Sequence, residues 1–322
     1  MKYYSIIRDF RPEDAPSISA LFMAVYGEHY VYPDVYLPTM IRLNNAEGRW
    51  RSAVAELNGR IVGHAILWMD PHVICSAEFA MNVVHPDARG RGIATRLGEH
   101  LCNLGRTEGL AMLSIKQVST HSQSQHLARR LGFHTTALLM DYVPSPFGTQ
   151  QRESIVLGCL PLQPRPLPTV ALPGDDEGWL DSLADVFGST VPVEPLPAPP
   201  LAPMRLASDG KRVEVTFNRV EAGSFKEVAR LPHDRLVYIY VPLDKTLPSN
   251  VPSLKLAGYA SAGIMPAPNG RWYYLMQRGY TFGDLSLQCN FAQRMYDSAQ
   301  RALVSNRTWT EGGPREFGPL DK

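Results

Sequence analysis

The four cysteines, Cys75, Cys102, Cys159 and Cys289, stand far apart in the 322 residues. With no close pair among them, neither a metal knuckle nor a redox couple is expected, and a reducing, cytoplasmic setting follows. No run approaches the ~20 apolar residues of a membrane span. Arg8, Asp9, Arg11, Glu13 and Asp14 precede any apolar run, which argues against a signal peptide and against a membrane address. An excess of one charge is missing too. Lysine and arginine number 32 against 31 acids, so nothing draws the chain to nucleic acid. Two common diphosphate-binding patterns are absent: there is no G-x-x-x-x-G-K-[ST] and no G-x-G-x-x-G.

What is present reads as two folded units. "YYSIIRDF" is a strand, and "RPEDAPSISALFMAVY" a helix with Pro12 and two acids in its first turn and Ile18, Leu21, Phe22 and Val25 on one face. "SAVAELNGRIVGHAILW" is a hairpin about Asn58-Gly59. "CSAEFAMNVV" and "LAMLSIKQV" are strands, "SQSQHLARRLGF" a helix stopped by Gly132, and "HTTALLMDYVP" and "RESIVLGCLPL" two further strands. Prolines crowd the stretch from about 166 to 205 around one short helix, "DEGWLDSLADVFG". Beyond it "KRVEVTF", "RLVYIYVPL" and "RWYYLMQRGY" are strands, "VPSLKLAGY" is a short helix, and "DLSLQCNFAQRMYDSAQRALVSN" is the longest helical pattern of this half.

The chemistry concentrates at Val84–His100, "VHPDARGRGIATRLGEH". A strand feeding a helix start leaves about four backbone N–H groups without partners, and the helix dipole favours an anion beside them. Gly90, Gly92 and Ala94 let a phosphate reach that backbone, and Arg89 and Arg91 add charge-assisted donors. The ligand implied is a diphosphate.

Arg89-x-x-Gly92-x-Ala94 after "VVHP" resembles the acyl-CoA loop of the GNAT superfamily of N-acyltransferases, [Q/R]-x-x-G-x-[G/A]. "IRDFRPEDAPSISALF", "VAELNGRIVGHAIL" and "ARRLGF" resemble that family's other segments in its order, over roughly residues 4–160. The resemblance implies an α+β fold with a central mixed, mainly antiparallel sheet flanked by helices. It also implies acetyl-CoA or another acyl-CoA as co-substrate, without a metal. Asn82, Val83 and Val84 would lie along the pantetheine. Arg89, Gly90, Arg91, Gly92, Ile93 and Ala94 would hold the pyrophosphate, and an N–H near Val84 would polarise the thioester carbonyl.

Amine acylation needs a base, since an alkyl ammonium titrates near ~10. Glu78, in an apolar strand and eleven positions before Arg89, fits the family's glutamate; the alternative is a strand-edge carboxylate paired with an arginine. Where many relatives carry an asparagine and a tyrosine, the latter as general acid, this chain has His121 and Ala128. His121 is the candidate acid or cofactor contact, with a surface or capping role the alternative, and His126 is weaker. Tyr26, Tyr30, Tyr32 and Tyr36 would form one wall of the acceptor site, or else pack a loop onto the sheet; Asp34 nearby is not assigned.

In the second half, Gly258-Tyr259 takes the place of Gly132-Phe133 among similarly ordered strands, which resembles a degenerate GNAT-like domain without a cofactor loop. The expected domains are 1–165, a connector 166–205 and 206–322. The expected activity is N-acylation of a small-molecule or amino acid-like amine by a monomer or homodimer. Acylation of a protein terminus or lysine, and a non-catalytic CoA-binding module, are the alternatives.

Overall fold

The computed structural model describes residues 5–69, 75–145, 151–172, 177–191 and 202–310. The first half runs β1 (Ile6–Asp9), α1 (Ala15–Tyr26), α2 (Pro38–Ala46), β2 (Trp50–Leu57), β3 (Arg60–Met69), β4 (Ser76–Val84), α3 (Ile93–Thr107), β5 (Met112–Val118), α4 (Gln123–Arg130), β6 (His134–Pro144) and β7 (Arg152–Pro161). Two-residue strands β8 (Leu167–Pro168) and β9 (Ser189–Thr190) bracket α5 (Glu177–Phe187). The second half runs β10 (Met204–Ser208), β11 (Arg212–Phe217), α6 (Ser224–Ala229), β12 (Leu236–Pro242), α7 (Leu247–Leu256), β13 (Ala260–Pro266), β14 (Trp272–Arg278) and α8 (Asn290–Thr310). Among the described residues, twelve strands form one mixed sheet in the order β1-β2-β3-β4-β5-β7-β6-β13-β14-β12-β11-β10. The class is α+β, as the sequence suggests. The start of the opening strand pattern, Tyr3-Tyr4, and residues 173–176 and 192–201 of the proline-rich stretch lie outside the described residues.

Local chemistry accounts for the elements. The first face of α1 buries Ala15, Ile18, Leu21 and Phe22, and Gly27 at φ +58° ends it. Asn58 (φ +50°) and Gly59 (φ +73°) make the tight turn between β2 and β3 that the Asn-Gly pair predicts. Helix α2 was not expected; Pro38 fixes its first turn, and Ile41 is its apolar anchor. The last helix begins at Asn290, later than its periodic run. Residues ahead of it bond elsewhere, Ser286 N to Ser119 O at 2.6 Å and Gln288 N to Gln125 Oε1 at 3.0 Å. That segment therefore lies against the start of α4.

The second half repeats the later pairing of the first. Parallel β11·β12 matches parallel β4·β5, and the order β12-β14-β13 matches β5-β7-β6. Helices α4 and α7 both stop at a glycine with φ +87°, Gly132 and Gly258. The next N–H bonds five residues back, Phe133 to Ala128 O at 2.9 Å and Tyr259 to Leu254 O at 3.1 Å.

The halves meet where β6 pairs antiparallel with β13, with Gly263 opposite Ala137. Gly263 has φ +121°, and a Cβ there would overlap the Thr136 carbonyl oxygen. Only a glycine admits this approach. Past the contact β6 turns across the second half, stitched by Gln277, whose Oε1 accepts from Met140 N (2.9 Å) and whose Nε2 donates to Leu138 O (3.1 Å). Tyr238 donates to Met140 O. One apolar core runs through this seam, joining Leu138, Met140 and Ile155 to Trp179, Tyr238 and Tyr274. Two smaller cores lie under α3 with α4, and under α1 with α2, on opposite faces of the first half's sheet.

Candidate active site

The site begins with an irregularity in β4. Ala80 pairs with Ile66 and Val83 with His64, so Met81 and Asn82 together face the single residue Ala65. Met81 takes φ +53° to make this bulge. The extra residue exchanges faces along the strand. Ala77 and Phe79 pack toward α3, whereas Met81 and Val83 pack toward α1.

The second irregularity is a splay. Strand β4 pairs with β5 only from Ser76 to Phe79, opposite Met112 to Ile115. From Ala80 to Val84 on one side and Lys116 to Val118 on the other, the strands have separated. An open slot with backbone polar groups on its edges results, and it leads to the loop before α3.

That loop has the expected bareness. Gly90 (φ +73°) and Gly92 (φ +71°) both need the left-handed region, and a Cβ on either would meet nothing within 4 Å. Gly92 is the N-cap of α3, and no side chain caps the helix. Ile93 points its side chain into the core, so only its backbone could face a ligand. The Asn82 Nδ2 donates to Ala94 O at 3.1 Å, while its Oδ1 is buried and accepts no hydrogen bond among the described residues. Arg89 and Arg91 are exposed; Arg89 Nε lies 3.4 Å from Val84 O, and Arg91 has no partner among the described residues. Arg96, in the same cluster of the sequence, is spent elsewhere: its guanidinium donates to Ser5 Oγ (2.7 Å) and Ser5 O (2.8 Å).

Glu78 sits on β4 at the mouth of the splay, between Trp68 and Ser114 on the neighbouring strands. Its Oε2 accepts from Lys116 Nζ at 2.8 Å, and Oε1 has no hydrogen bond among the described residues. The cation beside it is thus a lysine rather than an arginine. Burial alone would lower the Lys116 pKa, but the Glu78 carboxylate, with Tyr142 and Tyr32, outweighs it and raises the value. Both side chains keep about a quarter of their surface open, 25% for Glu78 and 30% for Lys116.

Three of the four tyrosines form a continuous aromatic wall. Ring centroids are 4.8 Å apart for Tyr26 and Tyr30, 6.0 Å for Tyr30 and Tyr32, and 4.9 Å for Tyr32 and Trp68. Burial raises the phenol pKa of all three, which keeps them protonated. Tyr36 is different: its Oη donates to Gly27 O (2.7 Å) and accepts from Tyr30 N (2.9 Å), so it braces the loop. Asp34 accepts from Asn44 at 3.3 Å.

His121 is exposed just beyond β5, its backbone carbonyl accepting from Gln125 Nε2 at 3.3 Å, and His126 is exposed on α4. Ala128 is in the core under α4. Sequence reading missed Lys116 and Tyr142 in the first half and two groups from across the seam, Arg212 and Glu214. The alternation of "KRVEVTF" puts Arg212 and Glu214 on one face, but nothing local says which strand lies opposite.

Residues 15–133, from α1 through the slot and loop to the end of α4, match the acetyltransferase (GNAT) family. Members of this family use acetyl-CoA. Among solved structures, the ribosomal-protein-S18-alanine N-acetyltransferase of Escherichia coli is 22% identical, over 50% of this chain and 95% of its own, with TM-score 0.42. The ribosomal-protein-alanine N-acetyltransferase of Brucella melitensis is 23% identical over 48% and 99%, with TM-score 0.41. A Salmonella typhimurium protein solved with its cofactor acetyl-CoA is 20% identical over 49% and 94%, with TM-score 0.41. No curated protein matches the chain. Among the described residues, no group of three or more His, Cys, Asp or Glu could hold a metal ion, and no helix is long and apolar enough to cross a membrane.

Proposed function

We propose that this GNAT domain transfers an acyl group, most simply acetyl, from acyl-CoA to the amine of a small molecule, with Glu78 as general base. The observation that carries this reading is the β4–β5 slot ending at the uncapped start of α3. The residues there suit a phosphorylated, amide-bearing arm. Gly90 and Gly92 leave the loop backbone bare, Arg91 has free donors, and the orphaned Asn82 Oδ1 wants a donor.

Acetyl-CoA, when bound, supplies the acyl group as a reactive thioester. The N–H groups freed along residues 80–84 are the donors that would polarise its carbonyl. Lys116 anchors Glu78 through Oε2, leaving Oε1 to take the amine proton directly or through one water. The departing thiolate needs no tyrosine at position 128, because thiols titrate near ~8.5.

Among the described residues, the second half has no equivalent slot. Strand β11 pairs with β12 through five successive residues, Arg212 to Thr216, and with β10 without a bulge. One acyl-CoA per chain is therefore the expectation. Calorimetric titration with acetyl-CoA, followed by mass spectrometry of an amine panel, tests the reading. One site per chain and an N-acetylated product are expected; absence of acetyl-CoA binding would overturn it.

A further inference from the structure

The groups around Glu78 do not all come from the GNAT domain. In β6 the pairing with β7 jumps from Leu139 to Val143, and Asp141 takes φ +55°, so residues 140–142 bulge out of the ladder. Arginines from both halves hold that bulge: Arg152 Nη2 and Arg212 Nη1 each donate to Tyr142 O at 2.6 Å. The Tyr142 ring then carries Lys116 Nζ at 5.7 Å from its centre and the Arg212 guanidinium at 4.3 Å. The Tyr32 ring meets Trp68, the cross-strand neighbour of Glu78, and its phenol lies within electrostatic reach of Lys116, Glu78 and Arg212. Loop, slot and second half thus face a common space.

Hydrogen-bond accounting indicates what that space wants. A lysine has three N–H donors and an arginine five, with no acceptors. Among the described residues, Lys116 spends one donor on Glu78, and Arg212 spends one nitrogen on Tyr142 O. The approaches of Arg212 Nε to Glu214 Oε1 at 3.3 Å and Asp209 Oδ2 at 3.7 Å are ion-pair contacts too long for strong hydrogen bonds. Spare donors on two half-buried cations call for an acceptor-only group. The acids close by, Glu78, Glu214 and Asp209, would repel a dianion such as a phosphate ester, whereas a planar monoanion matches the guanidinium fork.

We infer that Arg212, together with Lys116, recognises a carboxylate on the acceptor, so that the acceptor is an amino acid or a similarly small amino-carboxylate, its amine directed to Glu78. The inference rests on the acyltransferase reading above and adds that the second half selects the substrate. Arg212 is a specificity determinant, and the proton transfer remains with Glu78.

The test uses the full chain, acetyl-CoA and a panel of L-amino acids paired with their carboxamides, which keep the amine and lose the negative charge. Wild type should favour an acid over its amide by about 10- to 100-fold in kcat/KM, the value of a charge-assisted pair. R212Q should collapse that ratio through KM for the acid, while R212K keeps part of it and controls for folding. Acetyl-CoA affinity, measured in the same variants, should not move. Equal use of acids and amides by wild type, or an unchanged ratio in R212Q, would overturn the inference with the acyltransferase reading intact. Acetyl-CoA binding with no turnover of any panel member would also overturn it. Loss of acetyl-CoA binding by wild type instead fails the underlying reading.

Discussion

Replacing His64 with leucine should change how the protein responds to acid. His64 lies on β3 at 0% exposure, its ring 5.8 Å from that of Phe22, and neither ring nitrogen has a hydrogen-bond partner among the described residues. Burial pushes its pKa down to about 3 from the ordinary 6.5. The folded protein therefore refuses a proton that the unfolded chain takes near pH 6.5. Stability contributed by the neutral imidazole is complete above that value and declines as pH falls, until the folded-state pKa is reached. The slope is about 1.4 kcal/mol per pH unit, so the loss by pH 5 is about 2 kcal/mol. Leucine has a similar volume, takes no proton in either state and removes two orphaned nitrogens. His64→Leu should thus equal or exceed wild type at pH 7, and its advantage should widen by about 2 kcal/mol at pH 5. Urea denaturation at both values, followed by tryptophan fluorescence, reads the difference while other titrating groups cancel. Curves that fall in parallel between pH 7 and pH 5 would refute the reasoning, since His64 would then accept its proton as readily folded as unfolded.

Gly92→Glu should abolish acetyl-CoA binding by calorimetry; Gly92→Ala bears the same positive-φ strain without the charge and should retain more affinity, and equal losses would assign the effect to the backbone alone. Glu78→Gln should lower kcat by about 10²-fold and flatten the acidic limb of the pH–rate profile, and near-full activity across that limb would return Glu78 to a structural role. Arg96→Ala should lower stability by about 1 kcal/mol through loss of its bonds to Ser5 while leaving acetyl-CoA affinity within about twofold, whereas Arg91→Ala should weaken binding; the reverse pattern would move the anion seat. Gly263→Ala should cost about 2 kcal/mol or more, because the methyl overlaps the Thr136 carbonyl oxygen at a positive φ, and an unchanged denaturation midpoint would contradict the close approach at the seam.

Those features divide by the range of the interactions that make them. Asn58-Gly59, Gly132, and the glycines before α3 were legible because each answers to a demand of its own few residues: a turn, a helix stop, a bared N-terminus. The late helix was misjudged at its start because "DLSLQC" has helical spacing, yet its backbone finds partners in Ser119 and Gln125, more than 150 positions away. The bulge at Met81 leaves no mark in "FAMNVV", since it is set by register against β3. Nothing in "LAMLSIKQV" marks Lys116, because its pairing with Glu78 depends on parallel register with β4. Arg212 was out of reach altogether, because it meets Tyr142 only through the crossing at Gly263.

That crossing also decides what dilution can do to the molecule. If the Tyr142–Arg212 wall were formed between two separate subunits, its occupancy would depend on protein concentration. Here both sides of the contact belong to one chain, so each is held near the other at a fixed effective concentration however thin the solution. The fusion also gives β6 a permanent neighbour in β13, which leaves β1 and β10 as the sheet's outer strands. Strand β1 is four residues long and carries Arg8 and Asp9, a poor template for another chain. The second half is in this sense a subunit that cannot dissociate.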